Sequence, residues 1–153
     1  MAYEATIETV DAEPMAAVAS RVPQDGLADA IRASLDKVYA ILRAGDYGPL
    51  GCNAVYYAPQ PAPGPMDVKI GVRLQRPFAA TGEVAPAETP AGEVSHVVYF
   101  GEYWKMRPAH EAAKAAARAQ GRRITGASWE VYGDWSDDWS KVRTDIYYLL
   151  EPR

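Results

Sequence analysis

The segment SWEVYGD, residues 128–134, alternates in polarity as a strand does, yet it sets the carboxylate of Glu130 between Trp129 and Val131. Successive strand side chains point to opposite faces, so Glu130 shares a face with Ser128, Tyr132 and Asp134, while Trp129 and Val131 face the other way. A carboxylate held among aromatic rings loses several kcal/mol of hydration, and it stays protonated unless a donor or a cation compensates. A flat lipophilic cation supplies that compensation. Each cation-π contact over a Tyr or Trp ring contributes roughly 0.5 to 2 kcal/mol, and the acid adds an attraction strengthened by the low local dielectric. The plain alternative is a glutamate at a sheet margin with its carboxylate in water. The ten tyrosines and four tryptophans, against two phenylalanines, suit a wall that is apolar on its face and polar at its tip.

Other chemistries are poorly supplied. Two histidines and one cysteine give no metal-ligand spacing and no internal disulfide, and no cofactor or metal is expected. Cys52 reads as a small buried apolar residue. There is no serine-histidine pair and no glycine-rich phosphate loop. The net charge of -4, with dispersed basic residues, argues against nucleic acid as a direct partner. No apolar run approaches the roughly 20 residues that span a bilayer, and MAYEATIETVD lacks a signal-peptide pattern, so the reading is cytoplasmic with no membrane partner.

The elements that position Glu130 repeat. Sliding the 153-residue chain on itself by 75 positions superposes Ser20 on Ser95, Gly26 on Gly101, Arg43 on Arg118, Gly51 on Gly126, Tyr57 on Tyr132 and Leu74 on Leu149. About seventeen identities result over roughly 78 pairs, where about six are due to chance. Residues 1–153 therefore read as one domain with duplicate halves, about 1–77 and 78–153. In the first half, residues 3–10 and 14–22 read as extended. Leu27, Ile31, Leu35, Val38 and Leu42 then recur at helical spacing, with Asp25 as N-cap and Gly45 just past the end. A hairpin follows, whose second arm is MDVKIGVRL. The second half repeats the order, with a weakly extended 78–84, a strong strand at 94–100, an alanine-rich helix, and then SWEVYGDW and TDIYYLL. That helix has little side-chain volume and must lie close to what it covers. On the same offset Ile70 and Val72 fall on Asp145 and Tyr147, which places this second acid and tyrosine inward, facing Glu130 across the hairpin. Alternatively, Asp145 pairs at the surface with Arg143 or Lys141.

The stretches PAGEVSHVVYFGEY (residues 90–103), SWEVY (128–132) and TDIYYLL (144–150), in this order, resemble the GyrI-like small-molecule-binding domains, also found as effector-binding domains of AraC- and MerR-type multidrug regulators. The resemblance implies an α+β fold: two tandem strand-helix-strand-strand repeats forming one curved antiparallel sheet with two helices. It further implies a pocket acid at Glu130, a second acid near Asp145, and pocket aromatics at Tyr147 and Tyr103. The expected ligand-binding set is Glu130, Tyr103, Asp145, Tyr147, Tyr132, Trp104 and Trp135. Asp145 stands where related domains often carry Glu, one methylene shorter, and the alanine-rich helix departs from the usual amphipathic pattern.

Three functions compete. The first is a stand-alone module that binds amphipathic, cationic or aromatic small molecules, and either sequesters them or signals to a separate regulator or a second copy. No segment reads as a helix-turn-helix. The second, implied by the resemblance, is a hydrolase of strained cyclopropane-bearing toxic natural products, with Glu130 activating water and Tyr103 or Tyr147 stabilising developing charge. The third is a protein inhibitor of a topoisomerase, for which 20 acidic residues against 16 basic make a feeble DNA mimic. His96 reads as a satisfied core or margin histidine, and His110 and Glu111 as solvated. Trp135 and Trp139 read as a flap over the pocket or as a contact patch for a second subunit.

Overall fold

Residues 3–153 are described by a computed structural model of the chain. Among them, eight strands and two helices follow in the order β1 (Ala5–Val10), β2 (Glu13–Val22), α1 (Leu27–Arg43), β3 (Leu50–Tyr57), β4 (Met66–Leu74), β5 (Ala85–Thr89), β6 (Gly92–Phe100), α2 (Arg107–Ala119), β7 (Ile124–Tyr132) and β8 (Arg143–Leu150). The strands form one antiparallel sheet in the order β1-β6-β8-β7-β3-β4-β2-β5. This is the α+β arrangement that the sequence implied, with two corrections of detail. Residues 78–84 are not the opening strand of the second half; β5 takes that place, and Phe78 is buried in the α1 core beside Tyr47. Asp25 lies in a 3-10 turn before α1, whose N-cap is Gly26.

The sheet order shows how the halves interlock. β1 pairs with β6 of the second half, and β5 pairs with β2 of the first, so the outer strand of each half lies in the other half's part of the sheet. β1 and β2 are joined by Asp11 and Ala12 yet stand first and seventh in the sheet. A flat sheet would hold them about 29 Å apart, while three residues reach about 10 Å. The sheet therefore curls until its edges approach. Its inner face is closed by Met15, Ala17, Ala54, Val94, Trp129 and Val131, with Val10 of β1 packed against them.

Gly71 makes part of this curl feasible. A Cβ built there would stand 1.8 Å from the carbonyl oxygen of Ala16 on the neighbouring strand, an approach that glycine alone tolerates.

Both helices pack on the outer face. Val38 and Leu42 of α1 close over Ala16, Val18, Val72 and Leu74. α2 lays its buried row Ala109, Ala113 and Ala117 on β6 and β8. The small side chains do bring this helix close, since Ser95 Oγ of β6 donates to the carbonyl oxygen of Ala113 at 2.7 Å.

The repeat is not a single offset. β3 and β7 correspond at 75, Tyr57 to Tyr132, but the connection from Tyr132 to Thr144 is one residue longer than that from Tyr57 to Val68. β8 therefore corresponds to β4 at 76, and Ile70 and Val72 match Ile146 and Tyr148. A one-residue slip turns every side chain of a strand to the other face. Ile146 and Tyr148 pack under α2, and Asp145 and Tyr147 point to the inner face, away from Glu130.

Candidate functional site

β3 and β7 meet at the seam between the halves, and there Val55 lies directly opposite Glu130. These two residues are repeat mates, so the pseudo-twofold axis passes between them and Glu130 sits beside it. Tyr57 and Tyr132, also repeat mates, approach from the two sides. The Tyr57 hydroxyl donates to Glu130 Oε1 at 3.1 Å and the Tyr132 hydroxyl donates to the same oxygen at 2.5 Å. His110 of α2 completes the enclosure, with Nε2 at 2.7 Å from Glu130 Oε2 and Nδ1 at 2.7 Å from the Tyr148 hydroxyl. Glu130 retains 5% of its exposure. A carboxylate only accepts, so Nε2 carries a proton and Nδ1 accepts from Tyr148, giving a hydrogen-bonded chain from Tyr148 through His110 to Glu130. Burial, and then the nearby charge of Glu130, pushes Tyr148 up to about 12 and Tyr57 and Tyr132 well above the ordinary tyrosine value. These phenols stay neutral donors.

Tyr132 is the link from this buried acid to a cleft of about 670 Å³. The cleft runs between α1, which presents Ile31, Arg32, Leu35 and Tyr39, the start of β3, and the ends of β7 and of the β6–α2 connection. Tyr132, Tyr103, Trp135 and Asp134 line it opposite the helix. Tyr103 meets Tyr132 edge-on at 5.6 Å, and Trp139 meets Tyr103, Trp104 and Trp135 at 5.4, 5.2 and 4.8 Å. The rings thus form a continuous series from Glu130's partner out to Trp135, which is 61% exposed.

Of the residues expected to bind ligand, Tyr103, Tyr132 and Trp135 line the cleft and Glu130 lies beneath it. Trp104 stands one ring away, behind Trp139. Asp145 and Tyr147 lie on the inner face, so the two acids do not share a cavity. Cys52, expected to be buried, is exposed at the cleft. It precedes Asn53, where the ladder with β7 begins, and falls in the stretch where the register of β3 with β4 is interrupted. His110, expected to be solvated, is drawn under α2 toward Glu130. Tyr57 and His110 were missed as site residues. Both had a sequence signal: Tyr57 is the repeat identity of Tyr132, and His110 falls on Leu35, which lines the cleft.

Asp145 belongs to a separate network on the inner face. Arg143 donates to it twice, at 2.6 and 3.0 Å, so the alternative pairing with Arg143 forms, but along the same strand and with Asp145 largely buried rather than at the surface. His96 bridges Asp145 at 2.8 Å and Glu8 of the edge strand β1 at 3.2 Å, and its ring stacks on Tyr147, which stacks on Trp129. Partial burial works to lower the His96 pKa, but hydrogen bonds to Asp145 and Glu8 outweigh it and raise the value. Partial burial likewise opposes ionisation of Asp145, but hydrogen bonds from His96 and Arg143 bring it down to about 2. The stabilisation from His96 is complete below its ordinary value and is lost as pH rises through the raised one; that from Asp145 is lost as pH falls toward about 2. Thermal denaturation is therefore expected to show Tm falling as pH rises above the ordinary histidine value, with the slope flattened by His96→Asn; equal slopes in the two proteins would mean that the bridge adds nothing.

No protein-family model and no curated protein matches the chain. Solved structures match it well. The C-terminal domain of EcmrR superposes over 99% of both chains with a TM-score of 0.79 at 17% identity. In the EcmrR–DNA complex the match covers 97% of this chain and 57% of that one, at a TM-score of 0.80 and 18% identity. SAV2435, in a structure bound to tetraphenylphosphonium, matches with a TM-score of 0.66 at 14% identity, over 97% of this chain and 94% of that one. A hydrolase from Listeria innocua matches with 0.64 at 11% identity, over 97% and 92%. Among the described residues no helix is long and apolar enough to cross a membrane. Two interlocked halves on one curled sheet, and these superpositions over nearly the whole chain, together show that the protein has the GyrI-like fold that its sequence resembles.

Proposed function

We propose that the chain is a binding module for amphipathic small molecules that combine aromatic surface with a delocalised positive charge, captured in the cleft between α1 and the connection from β7 to β8. The observation that carries this reading is a buried carboxylate behind an aromatic wall: Glu130 is hydrogen-bonded to Tyr132, and Tyr132 lines the cleft. The volume falls within the roughly 300–1,000 Å³ usual for small-molecule sites. Tyr39, Tyr103, Tyr132 and Trp135 offer ring faces and edges to an aryl-bearing cation, and Asp134 adds an acid at the rim. Arg32, also on the rim, is paired with Asp29 at 2.8 Å. That a protein of the same fold is described with tetraphenylphosphonium bound supports a lipophilic cation as the ligand class.

The hydrolytic reading has a neighbour described as a hydrolase in its favour. It requires Glu130 to direct a lone pair at a water in the cleft. Three of about four lone-pair sites on the carboxylate are taken by Tyr57, Tyr132 and His110, and Glu130 is buried behind Tyr132 and does not itself line the cleft, so the arrangement supports capture over turnover. Conversion of a cyclopropane-bearing compound by the wild-type protein, lost in Glu130→Gln, would reverse that order.

The chain's single cysteine supplies a direct test, since Cys52 is exposed and lines the cleft. Saturating tetraphenylphosphonium is expected to slow alkylation of Cys52 several-fold, with the rate restored on dilution. Equal rates with and without the compound, under conditions where calorimetry shows binding, would move the site elsewhere.

A further inference from the structure

We propose that His110 sets the charge selectivity of the cleft: a cationic ligand and a proton on the His110–Glu130 pair compete for one buried carboxylate, so that capture of a cation expels a proton. The inference rests on the cleft being the binding site.

The geometry is built for two protonation states. With His110 neutral, Nε2–H donates to Glu130 and Nδ1 accepts from Tyr148, and the group as a whole carries one negative charge. When Nδ1 gains a proton, the Tyr148 hydroxyl need only rotate to become the acceptor. No heavy atom has to move, and the His110 ring stays edge-on to Tyr148 at 5.7 Å. The pair is then neutral and its pull on a cation in the cleft is cancelled. The proton belongs to the pair, whichever partner holds it.

Tyrosines and apolar side chains make up most of the remaining surroundings of His110. From β7 it faces Glu130 and, beyond it, Tyr132; from β3, Tyr57; from β8, Tyr148; and these tyrosines are all pushed upward by burial. β6 presents Ser95 and Tyr99 to α2, and β1 presents Ala5 and Ile7 opposite Val97 and Ser95. Tyr99 is raised as well, chiefly by burial. On α2 itself, Lys114 stands over the Tyr148 ring at 5.6 Å and pairs with Glu111 at 3.7 Å. His96 lies on the inner face, behind the sheet, with partners of its own.

The test is calorimetric titration of the full chain with tetraphenylphosphonium and with neutral triphenylphosphine oxide, at about pH 5.5 and pH 8, in buffers of different ionisation enthalpy. The phosphonium is expected to bind on the order of tenfold more weakly at the lower pH, a middling strength for coupled sites. Protons should be released in between, and the neutral compound should show no slope. His110→Gln keeps a donor toward Glu130 and is expected to lose the pH dependence of phosphonium binding and the proton release, whatever its affinity; His96→Asn should keep both. Phosphonium binding that is independent of pH and releases no proton overturns the competition and leaves the cleft as the site. A His110→Gln variant that weakens binding equally at both pH values, with the slope intact, assigns His110 a purely structural role and also overturns it. Absence of phosphonium binding at any pH removes the inference together with the proposed function. Proton release is read on the wild-type protein, so the test stands even if a variant fails to fold.

Discussion

Glu130→Gln is expected to fold and to lose affinity for tetraphenylphosphonium by about 2 kcal/mol, roughly 30-fold. The amide keeps an oxygen for the Tyr57 and Tyr132 hydroxyls, and its NH2 can face His110 once the imidazole adopts the other tautomer, with Nδ1–H donating to Tyr148. Only the charge is lost. Glu130→Ala is a different experiment, because it leaves the donors of Tyr57, Tyr132 and His110 in a buried space without their acceptor. That is expected to lower stability by about 3 kcal/mol and Tm by roughly 10 °C. Thermal shift of the two variants, with and without the phosphonium, separates the anchoring of ligand from the anchoring of fold. Should Glu130→Gln bind as tightly as the wild type, the buried charge is irrelevant to capture.

Gly71→Val is expected to be the most damaging single change in the sheet. The first atom of any side chain at this position meets the carbonyl oxygen of Ala16 at 1.8 Å, and that oxygen is backbone and cannot rotate away. β2 would have to lift from β4 along a ladder that runs from Met15–Arg73 to Val22–Met66. The cost is about 3 kcal/mol or more, again near 10 °C in Tm. The same variant is expected to bind the hydrophobic dye ANS, because α1 rests on Val72 and Val18 of these strands. A wild-type Tm would show that β2 relaxes at no cost.

How much could be read from the sequence differs by element, for physical reasons. MDVKIGVRL alternates cleanly because Val68, Ile70, Val72 and Leu74 of β4 are buried on the α1 side while Asp67 and Lys69 on the other face are exposed, and the strand there is continuous. The helices were legible from their spacing, and the close seat of α2 from its alanines. The duplication was legible too. What it could not convey was the extra residue between β7 and β8, which leaves the identity of Leu74 with Leu149 as a coincidence of spacing and inverts the faces of Asp145 and Tyr147. Nor does local pattern reveal which strand a given strand will join: β1 looks like a partner for β2, its neighbour in the chain, and instead lies beside β6. Glu130 was legible because an acid in an aromatic strand demands compensation. His110 carried a signal only through the repeat, as the mate of Leu35, and locally its neighbours on α2, Glu111 and Lys114, lend it a solvent-facing character.

The crossing-over of β1 and β5 also bears on what a half-length chain could do. Either half alone would present a raw edge where its sheet ends and carry a loose strand with nowhere to dock, so it could finish its own architecture only by trading that strand with a twin. Such a twin pair would place two identical residues at its centre of symmetry, both acids or both aliphatics. Joining the copies into one polypeptide is what permits one to be valine and the other glutamate, and so permits a solitary negative charge on the midline.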